Sequence, residues 1–402
     1  MWDRALDAML RDVVRTGSLA LSLPGGRTLR YGQGEPSASL HITDPAVVAR
    51  LVRSPELAMG EAYMAGTLVP EGPRGLHALL AVLLANTTRR VPRWYGAMLA
   101  LRRAGRWIAQ WNPAPRARRN VAHHYDLSGT LYDLFLDADK QYSCAYFARP
   151  GMTLDEAQAA KKALIAAKLR LEPGMRVLDI GCGWGGLALT LAREHGAHVV
   201  GVTLSAEQLK VAQARAAAAG LADRVEFRLQ DYRAVTGAFD RIVSVGMFEH
   251  VGVPHYGDYF RTVADRLAPD GIALIHTIGR NAPPAATSPW ITKYIFPGGY
   301  VPALSEVAAP IEASGLWMTD IEVWRLHYAD TLRAWQERFE ANIDAVRALY
   351  DDRFCRMWRF YLVASEMSFR AGRQCVFQMQ LSHRQDAVPL TRDYLYRDRA
   401  NA

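Results

Sequence analysis

The stretch Val177-Leu-Asp-Ile-Gly-Cys-Gly-Trp-Gly-Gly186 decides the fold of this chain of 402 residues. A short strand-forming segment runs directly into a glycine-rich turn, and a helix-forming segment follows the turn. Gly181 and Gly183 let the backbone turn tightly and approach a ligand where a side chain would collide with it. The pattern therefore predicts a strand, a ligand-binding turn and a helix.

Segments with the composition of strands and helices alternate around and after this turn. Strands are predicted at residues 176–180, 197–203, 224–229, 239–245 and 271–277, and helices at 187–195 and 206–219. This alternation is typical of βαβ units, so we expect an α/β fold with a parallel sheet covered by helices. Two later strands are predicted at 319–324 and 375–381, with helices at 332–339 and 354–368 between them.

The glycine-rich turn by itself is weak evidence, since dinucleotide enzymes use one too, and Gly181, Gly183 and Gly186 have the same spacing. Two features indicate S-adenosylmethionine (SAM) rather than NAD as the ligand of the turn. Asp179 stands at the end of the strand just before the turn, and Asp231-Tyr232 follows the third strand, where a methyltransferase places a carboxylate near the adenine amine. These segments converge at the carboxyl ends of the strands in an open parallel sheet. The sequence therefore predicts a class I, Rossmann-like SAM-dependent methyltransferase domain.

Positive charge is concentrated in the amino-terminal third of the chain. Residues 1–125 hold 17 Lys and Arg against 8 Asp and Glu, and nine arginines without an acidic residue lie between positions 89 and 119. A helix that begins at Pro92 would place apolar and basic side chains of this stretch on opposite sides. The apolar side would carry Trp94, Met98, Leu101, Ile108 and Trp111, and the basic side Arg102, Arg103 and Arg106.

Such a helix has three interpretations. Tryptophans near the edges of its apolar side suit the boundary of an anionic phospholipid membrane. Nucleic acid is the rival partner for a basic patch, but the chain has no zinc module and no RNA-binding signature, so we expect no nucleic-acid partner. In the third interpretation an ordinary surface helix packs Trp94 and Leu101 into a core. Membrane contact and ordinary packing both stay open.

The segment 112–119, Asn-Pro-Ala-Pro-Arg-Ala-Arg-Arg, predicts a linker because its prolines interrupt helices and strands. We therefore expect an amino-terminal domain over residues 1–118 and a catalytic domain over 119–402. Four cysteines without paired spacing predict neither a metal site nor a disulfide framework, which fits a reduced, cytoplasmic compartment. The charged first twelve residues and the lack of an apolar run longer than eight residues argue against a signal peptide and a membrane-spanning helix.

Seven motifs follow one another from about residue 120 onwards. They are His123-His-Tyr-Asp-Leu127, Gln141-Tyr-Ser-Cys-Ala-Tyr-Phe147, Gly201-Val-Thr-Leu-Ser-Ala-Glu-Gln208, Ser244-Val-Gly-Met-Phe-Glu-His-Val-Gly252, His276-Thr-Ile-Gly279, Pro289-Trp-Ile-Thr-Lys-Tyr-Ile-Phe-Pro297 and Tyr328-Ala-Asp-Thr-Leu-Arg-Ala-Trp335. This ordered set resembles the cyclopropane-fatty-acyl-phospholipid synthase family. Gly60-Glu-Ala-Tyr-Met-Ala-Gly66 resembles the lipid-binding domain of the same family.

The resemblance implies a methyltransferase domain preceded by a smaller α+β lipid-binding domain. Enzymes of this family add a methylene group from SAM across a cis double bond of an unsaturated phospholipid acyl chain. Methyl transfer leaves a carbocation, and a bound bicarbonate is thought to remove the proton whose loss closes the cyclopropane ring. The resemblance therefore implies SAM and bicarbonate as cofactors, and a cytoplasmic enzyme peripherally associated with the inner membrane surface.

Two sets of site residues follow. The resemblance assigns the bicarbonate and catalytic roles to Cys144, Glu249, His276, the backbone of Ile278, and Tyr328. The resemblance and the glycine turn together assign SAM binding to Tyr142, Ser143, Asp179, Gly181, Gly183, Gly185, Thr203, Leu204, Gln208, Gln230, Asp231 and Tyr232.

The chain departs from the expected patterns at two positions. Thr203 stands where many methyltransferases place an acid for the ribose hydroxyls, and Gln208 is expected to take part of that role. Ser365 stands where the family usually has a cysteine once proposed as a nucleophile. Because SAM is already an activated donor, no covalent step is required, and the cysteine is dispensable.

Alternatives to cyclopropanation stay open. A related C-methyltransferase would pass through the same carbocation and give methyl- or methylene-branched acyl chains, or would modify another small molecule. A catalytically idle lipid-binding paralogue is the third hypothesis, and the presence of Glu249, His276 and Tyr328 argues against it. The double-bond position, the head-group preference and the formation of a homodimer are not determined by the sequence.

Overall fold

The structure is a computed structural model that describes residues 1–87, 93–106, 110–113 and 129–396. The strands of the described part are β1 (Gly17–Ser22), β2 (Thr28–Gln33), β3 (Ser37–Ile42), β4 (Leu68–Pro70), β5 (Arg176–Ile180), β6 (His198–Thr203), β7 (Val225–Leu229), β8 (Phe239–Val245), β9 (Leu267–Arg280), β10 (Trp317–Trp324) and β11 (Gln374–Ser382). Its helices are α1 (Trp2–Val13), α2 (Pro45–Arg53), α3 (Pro55–Ala65), α4 (Gly75–Thr87), α5 (Arg93–Ala104), α6 (Gly129–Asp133), α7 (Leu154–Leu169), α8 (Gly186–His195), α9 (Ala206–Ala218), α10 (Tyr256–Arg266), α11 (Pro289–Tyr294), α12 (Leu304–Ser314), α13 (His327–Ala341), α14 (Ile343–Leu349) and α15 (Asp352–Arg370).

The chain divides into two compact units that are interleaved along the sequence. The first comprises Met1–Arg106, Ala285–Pro297 and Ala329–Arg373, and the second comprises the remaining segments. The sequence predicted instead a single boundary between residues 118 and 119. That boundary lies outside the described residues, and the division into domains 1–118 and 119–402 stays a prediction.

The first unit is an α+β structure around a four-stranded sheet in the order β2-β1-β3-β4. Inward side chains of β1 and β3, including Leu19, Leu21 and Leu40, pack with α1, α2 and α4 in one hydrophobic core. The side chain of Asp44 caps the first turn of α2 by accepting a hydrogen bond from the Ala46 N–H at 2.9 Å. These features give the smaller α+β unit that was expected.

Late segments of the chain belong to this first unit because α11 and α15 pack against α3. A methyl group added at Gly60 of α3 would lie 2.3 Å from the ring of Trp290, so only glycine allows this approach. The Trp290 Nε1–H donates to the sulfur of Met64 at 3.3 Å. Two of the family-like motifs, at 60–66 and 289–297, therefore form one packing contact.

The second unit contains a seven-stranded sheet in the order β10-β11-β9-β8-β5-β6-β7. β5 to β9 run parallel to one another, as the alternating pattern predicted. The predicted bounds of β5 and β8 are those observed, whereas the strand predicted at 271–277 is extended to the 14 residues of β9. The two later strands that the sequence predicted complete this sheet, in which β11 pairs antiparallel with both β9 and β10.

The predicted basic helix is shorter than expected. α5 ends at Ala104, immediately before Gly105, a residue that disfavours the helix interior. Trp111 therefore lies outside the helix, and Ile108 lies outside the described residues. Leu101 is 75% exposed, so the interpretation in which it packs into a core is wrong.

The three arginines of the predicted basic face differ in their surroundings, and Arg106 lies beyond the end of α5. The guanidinium of Arg102 donates to a carboxylate oxygen of Glu56 at 3.2 Å and to the carbonyl oxygen of Thr287 at 2.7 Å. Arg103 is exposed, and Arg106 donates to the carbonyl oxygen of Arg103 at 3.3 Å. The predicted face of three equivalent arginines is therefore incorrect, because Arg102 serves the packing of the first unit. None of the described helices is long and apolar enough to cross a membrane.

Candidate active site

A cavity lies at the carboxyl ends of β5, β6, β7 and β8, where the parallel sheet was expected to bind its ligand. Eleven of the twelve residues predicted to bind SAM line it: Tyr142, Ser143, Asp179, Gly181, Gly183, Thr203, Leu204, Gln208, Gln230, Asp231 and Tyr232. Gly185 is the exception. Trp184, Met247 and His250 line the same cavity and were not predicted.

Gly183 and Gly185 of the turn are required for different reasons. Both have a left-handed backbone conformation, with φ of +54° at Gly183 and +84° at Gly185. A methyl group added at Gly183 would meet no atom of the described residues within 4 Å, and Gly183 lines the cavity. A methyl group added at Gly185 would lie 2.5 Å from the ring of Phe227. Gly185 therefore allows the helix that follows to pack on β7, and Gly183 allows the backbone to border the cavity.

Asp179 brings an unsatisfied carboxylate to the cavity wall. Its side chain is buried, and Oδ2 has no hydrogen-bond partner among the described residues. Burial raises the pKa of Asp179 to about 7, and the positive charge of Lys161 opposes this rise. A buried acceptor of this kind suits a ligand that carries a positive charge or an N–H group.

Lys161 is a site residue that the sequence analysis missed. It is fully buried on α7, and its Nζ donates to Gln141 Oε1 at 2.6 Å and to Ser143 Oγ at 2.9 Å. Burial lowers its pKa to about 8. Lysine is almost never fully buried without partners, so this ammonium fixes the segment that carries the cavity-lining Ser143. The signal was a polar stripe at helical spacing, formed by Gln158, Lys161 and Lys168.

The side chains predicted to contact the nucleoside are already ordered by neighbours. The Thr203 hydroxyl donates to Gln208 Oε1 at 3.0 Å, which leaves the amide NH₂ of Gln208 as its donor group. Both carboxylate oxygens of Asp231 accept hydrogen bonds from the Arg233 guanidinium, at 2.8 and 2.6 Å. Arg233 therefore fixes the carboxylate of Asp231 at the cavity wall.

Glu249 occupies a short 3₁₀ turn directly after β8. Its Oε1 accepts a hydrogen bond of 2.6 Å from the backbone N–H of Ile278 on β9. Its Oε2 is buried and has no hydrogen-bond partner among the described residues. Burial raises the pKa of Glu249 to about 7, although the Ile278 N–H acts in the opposite direction. The N–H that the resemblance assigned to bicarbonate is thus donated to Glu249.

His276 lies two residues before Ile278 on β9 and is buried. Its Nδ1 is 3.0 Å from Nε2 of Gln378, and the edge of its ring contacts Trp324 at 5.1 Å between centroids. Burial and the nearby charges of Lys161 and Lys168 lower the pKa of His276 well below its usual value, so the imidazole is neutral.

The last two predicted catalytic residues are Cys144 and Tyr328. Cys144 is fully buried next to the cavity-lining Ser143, and its thiol donates to the Ala145 carbonyl oxygen at 3.3 Å. Tyr328 is buried at the start of α13. The preceding residue, His327, accepts a hydrogen bond from the Phe147 N–H at 3.2 Å, so the segments that carry Cys144 and Tyr328 are joined.

None of the five predicted catalytic residues lines the cavity itself. Glu249 lies between the cavity-lining Met247 and His250 in the sequence, and Cys144 follows Ser143. They therefore border the region that binds the ligand.

A family model described as mycolic acid cyclopropane synthetase matches residues 113–379. The cyclopropane-fatty-acyl-phospholipid synthase of Escherichia coli (strain K12) is 42% identical over 338 residues, which cover 84% of this chain and 86% of that protein. The chain belongs to the cyclopropane-fatty-acyl-phospholipid synthase family. Residues 6–91 of this synthase-family chain match a domain of unknown function.

Two further proteins are similar to this chain. The tuberculostearic acid methyltransferase UfaA1 of Mycobacterium tuberculosis is 39% identical over 365 residues, which cover 87% of this chain and 84% of that protein. The mycolic acid cyclopropane synthase CmaA1, whose crystal structure was solved in complex with SAH and CTAB, is 35% identical in sequence to this chain. It aligns with a TM-score of 0.63 over 68% of this chain and 99% of that chain. The family and the Rossmann-like methyltransferase fold that the sequence predicted are therefore confirmed.

The position at which the synthase family usually has a cysteine is Ser365. It lies on α15 and belongs to the first compact unit, whereas the cavity is built by residues of the second. Ser365 is not among the residues that line the cavity.

Proposed function

We propose that this enzyme transfers a methylene group from SAM to the cis double bond of an unsaturated phospholipid acyl chain and forms a cyclopropane ring. The observation that carries the proposal is the buried Oε2 of Glu249, an acceptor without a partner among the described residues. Such a group is costly unless a ligand satisfies it. Because the chain belongs to a synthase family, we identify that ligand as the bicarbonate that serves as the base of the reaction.

The residues around the cavity fit SAM. Asp179 offers a buried, unpartnered acceptor to the amino group, and the turn at Gly183 offers backbone without a side chain. Gln208 offers amide hydrogens, and Asp231 offers a carboxylate held by Arg233. The relative CmaA1 was crystallised with SAH. When bound, SAM supplies a methyl group activated by its sulfonium.

The second group of residues fits bicarbonate. The neutral His276 offers a ring N–H, Tyr328 a hydroxyl, and Glu249 an acceptor for the bicarbonate hydroxyl. The ammonium groups of Lys161 and Lys168 act electrostatically on His276 and make this region favourable for an anion. Bicarbonate, when bound, supplies a base for the proton that leaves the new methyl group.

The chain contributes orientation and the exclusion of water. Glu249 is fixed through Oε1 by the Ile278 N–H, so its other oxygen points in one direction only. Glu249 and His276 are both buried. A poor nucleophile such as an alkene reacts only when held in line with the methyl donor, and its carbocation survives only away from water. Rigid, buried side chains meet both needs.

Contact with an anionic membrane surface is part of the proposal. Leu101 and Arg103 are both exposed on α5, and a helix that exposes apolar and basic side chains suits the interface of an anionic bilayer. The acyl chain would be reached from that surface by a cytoplasmic, peripherally associated enzyme. The formation of a homodimer stays a prediction.

A second candidate function is C-methylation without ring closure. UfaA1, at 39% identity, is a tuberculostearic acid methyltransferase. The same carbocation would then lose a proton from an acyl-chain carbon, giving a methyl-branched unsaturated chain, or lose a methyl proton after a 1,2-hydride shift, giving a methylene-branched chain.

Lipid analysis tests these candidates. The gene is expressed in a bacterial host that lacks its own cyclopropane synthase, and the phospholipids are compared by mass spectrometry with those of the host alone. We expect acyl chains heavier by one CH₂ group that resist hydrogenation, with the NMR signals of a cis-cyclopropane. Branched-chain signals would favour the second candidate. Unchanged lipids together with failure to bind SAM in calorimetry would show an idle paralogue and contradict both.

A further inference from the structure

Gln378 is the direct neighbour of His276 across two strands. β11 pairs antiparallel with β9, and the two residues are opposite one another in the register. Both side chains are buried, and Gln378 Nε2 lies 3.0 Å from His276 Nδ1. The Gln378 amide has a donor nitrogen and an acceptor oxygen, and the Nδ1 of a neutral imidazole can either donate or accept, depending on the tautomer. Which atom donates depends on what holds the amide.

Lys168 settles the direction of that hydrogen bond. Its Nζ lies 2.7 Å from Gln378 Oε1, and an ammonium only donates. Oε1 of Gln378 is therefore the acceptor toward Lys168, and Nε2 is the donor toward His276. His276 Nδ1 then accepts and carries no hydrogen, so the hydrogen of the neutral ring lies on Nε2.

The lysine is itself fixed. It forms an ion pair with Glu322 of β10, and its backbone carbonyl accepts a hydrogen bond of 2.6 Å from Gln380 Nε2. Lys168 is buried, and burial lowers its pKa, an effect that the negative charge of Glu322 opposes. Three strands and α7 thus supply one continuous chain of contacts from Glu322 through Lys168 and Gln378 to His276.

We propose that Gln378 is a positioning residue that holds His276 in the tautomer with hydrogen on Nε2, with Lys168 and Glu322 fixing the orientation of its amide. The Nε2–H is then the donor that His276 presents to the anion in the active site. This role rests on the proposed function, because a donor at Nε2 serves catalysis only if His276 contacts the bound bicarbonate. Partners of this kind set the tautomer of functional histidines elsewhere.

The first test is spectroscopic and needs no activity. The full-length wild-type enzyme is labelled with ¹⁵N-histidine, and the His276 ring is identified as the signal missing from His276→Gln. We expect a hydrogen-bearing Nε2 and a hydrogen-free Nδ1 at neutral pH. A hydrogen on Nδ1, on both nitrogens, or exchanging between them overturns the proposal.

The second test uses variants at the amide. Gln378→Glu replaces the donor toward Nδ1 by an acceptor, and it should move the ring hydrogen to Nδ1. Gln378→Met removes the hydrogen bond and should lower kcat by about 10- to 100-fold, with the dissociation constant for SAM unchanged. The matched control is Gln374→Met on the same strand, which replaces a partly buried amide opposite Arg280 and should leave the tautomer as in the wild type.

A double-variant cycle separates positioning from general damage. If Gln378 acts through His276, Gln378→Met should have no further effect on kcat once His276→Gln is present. An equal fold-loss in both backgrounds overturns the proposal. If the tautomer is as expected but the wild-type enzyme is insensitive to bicarbonate and borate, the proposed function fails while the positioning of His276 stands.

Discussion

The hydrogen bond to the Ile278 N–H makes the two carboxylate oxygens of Glu249 different. Oε1 accepts the Ile278 N–H at 2.6 Å, and Oε2 is buried without a partner among the described residues. The first oxygen ties the side chain to β9, and the second is left for a ligand. Burial of an incompletely paired carboxylate raises its pKa to about 7 and therefore lowers stability at pH values above 7.

Glu249→Gln should keep the contact with Ile278 and lose the charge. We expect turnover to fall by about 10²-fold or more, the usual scale for a positioned acid–base group. SAM affinity should be unchanged, because Asp179 and the glycine turn remain. Steady-state assays with dispersed phospholipid and calorimetry with SAM measure the two quantities. The exposed Glu312→Gln is the control, and near-normal turnover of Glu249→Gln would remove Glu249 from the mechanism.

Borate should inhibit the wild-type enzyme because it resembles bicarbonate and exchanges with it. Inhibition should be relieved by added bicarbonate. Insensitivity to borate over a wide concentration range would count against an exchangeable anion as the base.

Glu249→Gln should also change how stability depends on pH. The pKa of Glu249 is raised in the folded state, so the folded protein binds more protons than the unfolded chain between about pH 4.5 and 7. Its contribution to stability is therefore present at the acidic end of this window and is lost as the pH rises through it. The variant should be more stable than the wild type by about 3 kcal/mol at pH 8.

At pH 5 this gain should shrink. Urea unfolding at several pH values, in buffer without bicarbonate, measures the difference between the two proteins. If the free energies of unfolding of wild type and variant changed with pH in the same way, the pKa of Glu249 would not be raised by folding.

Much of the second unit could be predicted because its signals are local. The strand and turn at 176–186 appear as expected, since apolar residues before a glycine turn determine both backbone and burial. Eleven of the twelve residues predicted to bind SAM line the cavity because the carboxyl ends of parallel strands meet at one edge. Gly185 differs because its requirement comes from Phe227, a residue distant in sequence.

Other features depend on contacts that the sequence does not display. Lys161 and Lys168 look like ordinary helix lysines until their partners on other segments are known. Arg102 reads as part of a basic face, but Glu56 and Thr287 bind it. The interleaving of the units rests on Trp290 packing against Gly60, a pairing across more than half of the chain.

Asp179→Asn should weaken SAM binding. A hydrogen bond to a charged group contributes roughly 1.5–3 kcal/mol, so the dissociation constant should rise by about tenfold or more. Since the pKa of Asp179 is raised to about 7, wild-type affinity should increase with pH through neutrality and that of the variant should not. Calorimetry between pH 6 and 8 checks this, with the exposed Asp270→Asn as control. Equal pH profiles would exclude Asp179 from the cofactor contact.

Two alanine substitutions in the glycine turn should have different effects. Both place alanine at a left-handed position, which costs about 1–2 kcal/mol. Gly185→Ala adds a collision with Phe227 and should destabilise the fold by about 2–4 kcal/mol in total. Gly183→Ala meets no atom of the described residues and should mainly weaken SAM binding. Urea unfolding and calorimetry separate these outcomes, and an equal loss of stability in both variants would contradict the assignment.

The membrane contact can be tested at α5 with Leu101→Asp combined with Arg103→Glu. Both side chains are exposed, so the fold should tolerate the change. Each basic charge near an anionic surface contributes about 1 kcal/mol to binding. The loss of a leucine that inserts into the bilayer interface adds to this, so binding should weaken by about 10-fold or more. Co-sedimentation with anionic and neutral vesicles measures it, and high salt should reproduce part of the effect in the wild type.

The control for this experiment is Arg193→Glu, which reverses an exposed arginine of the second unit and should leave vesicle binding unchanged. Arg102 is left intact in every variant because its bonds to Glu56 and Thr287 would confuse binding with folding. SAM affinity should be the same in all three proteins, since the cavity residues are untouched. If the double variant binds anionic vesicles as tightly as the wild type, α5 does not face the membrane, and the exposed Leu101 needs another explanation.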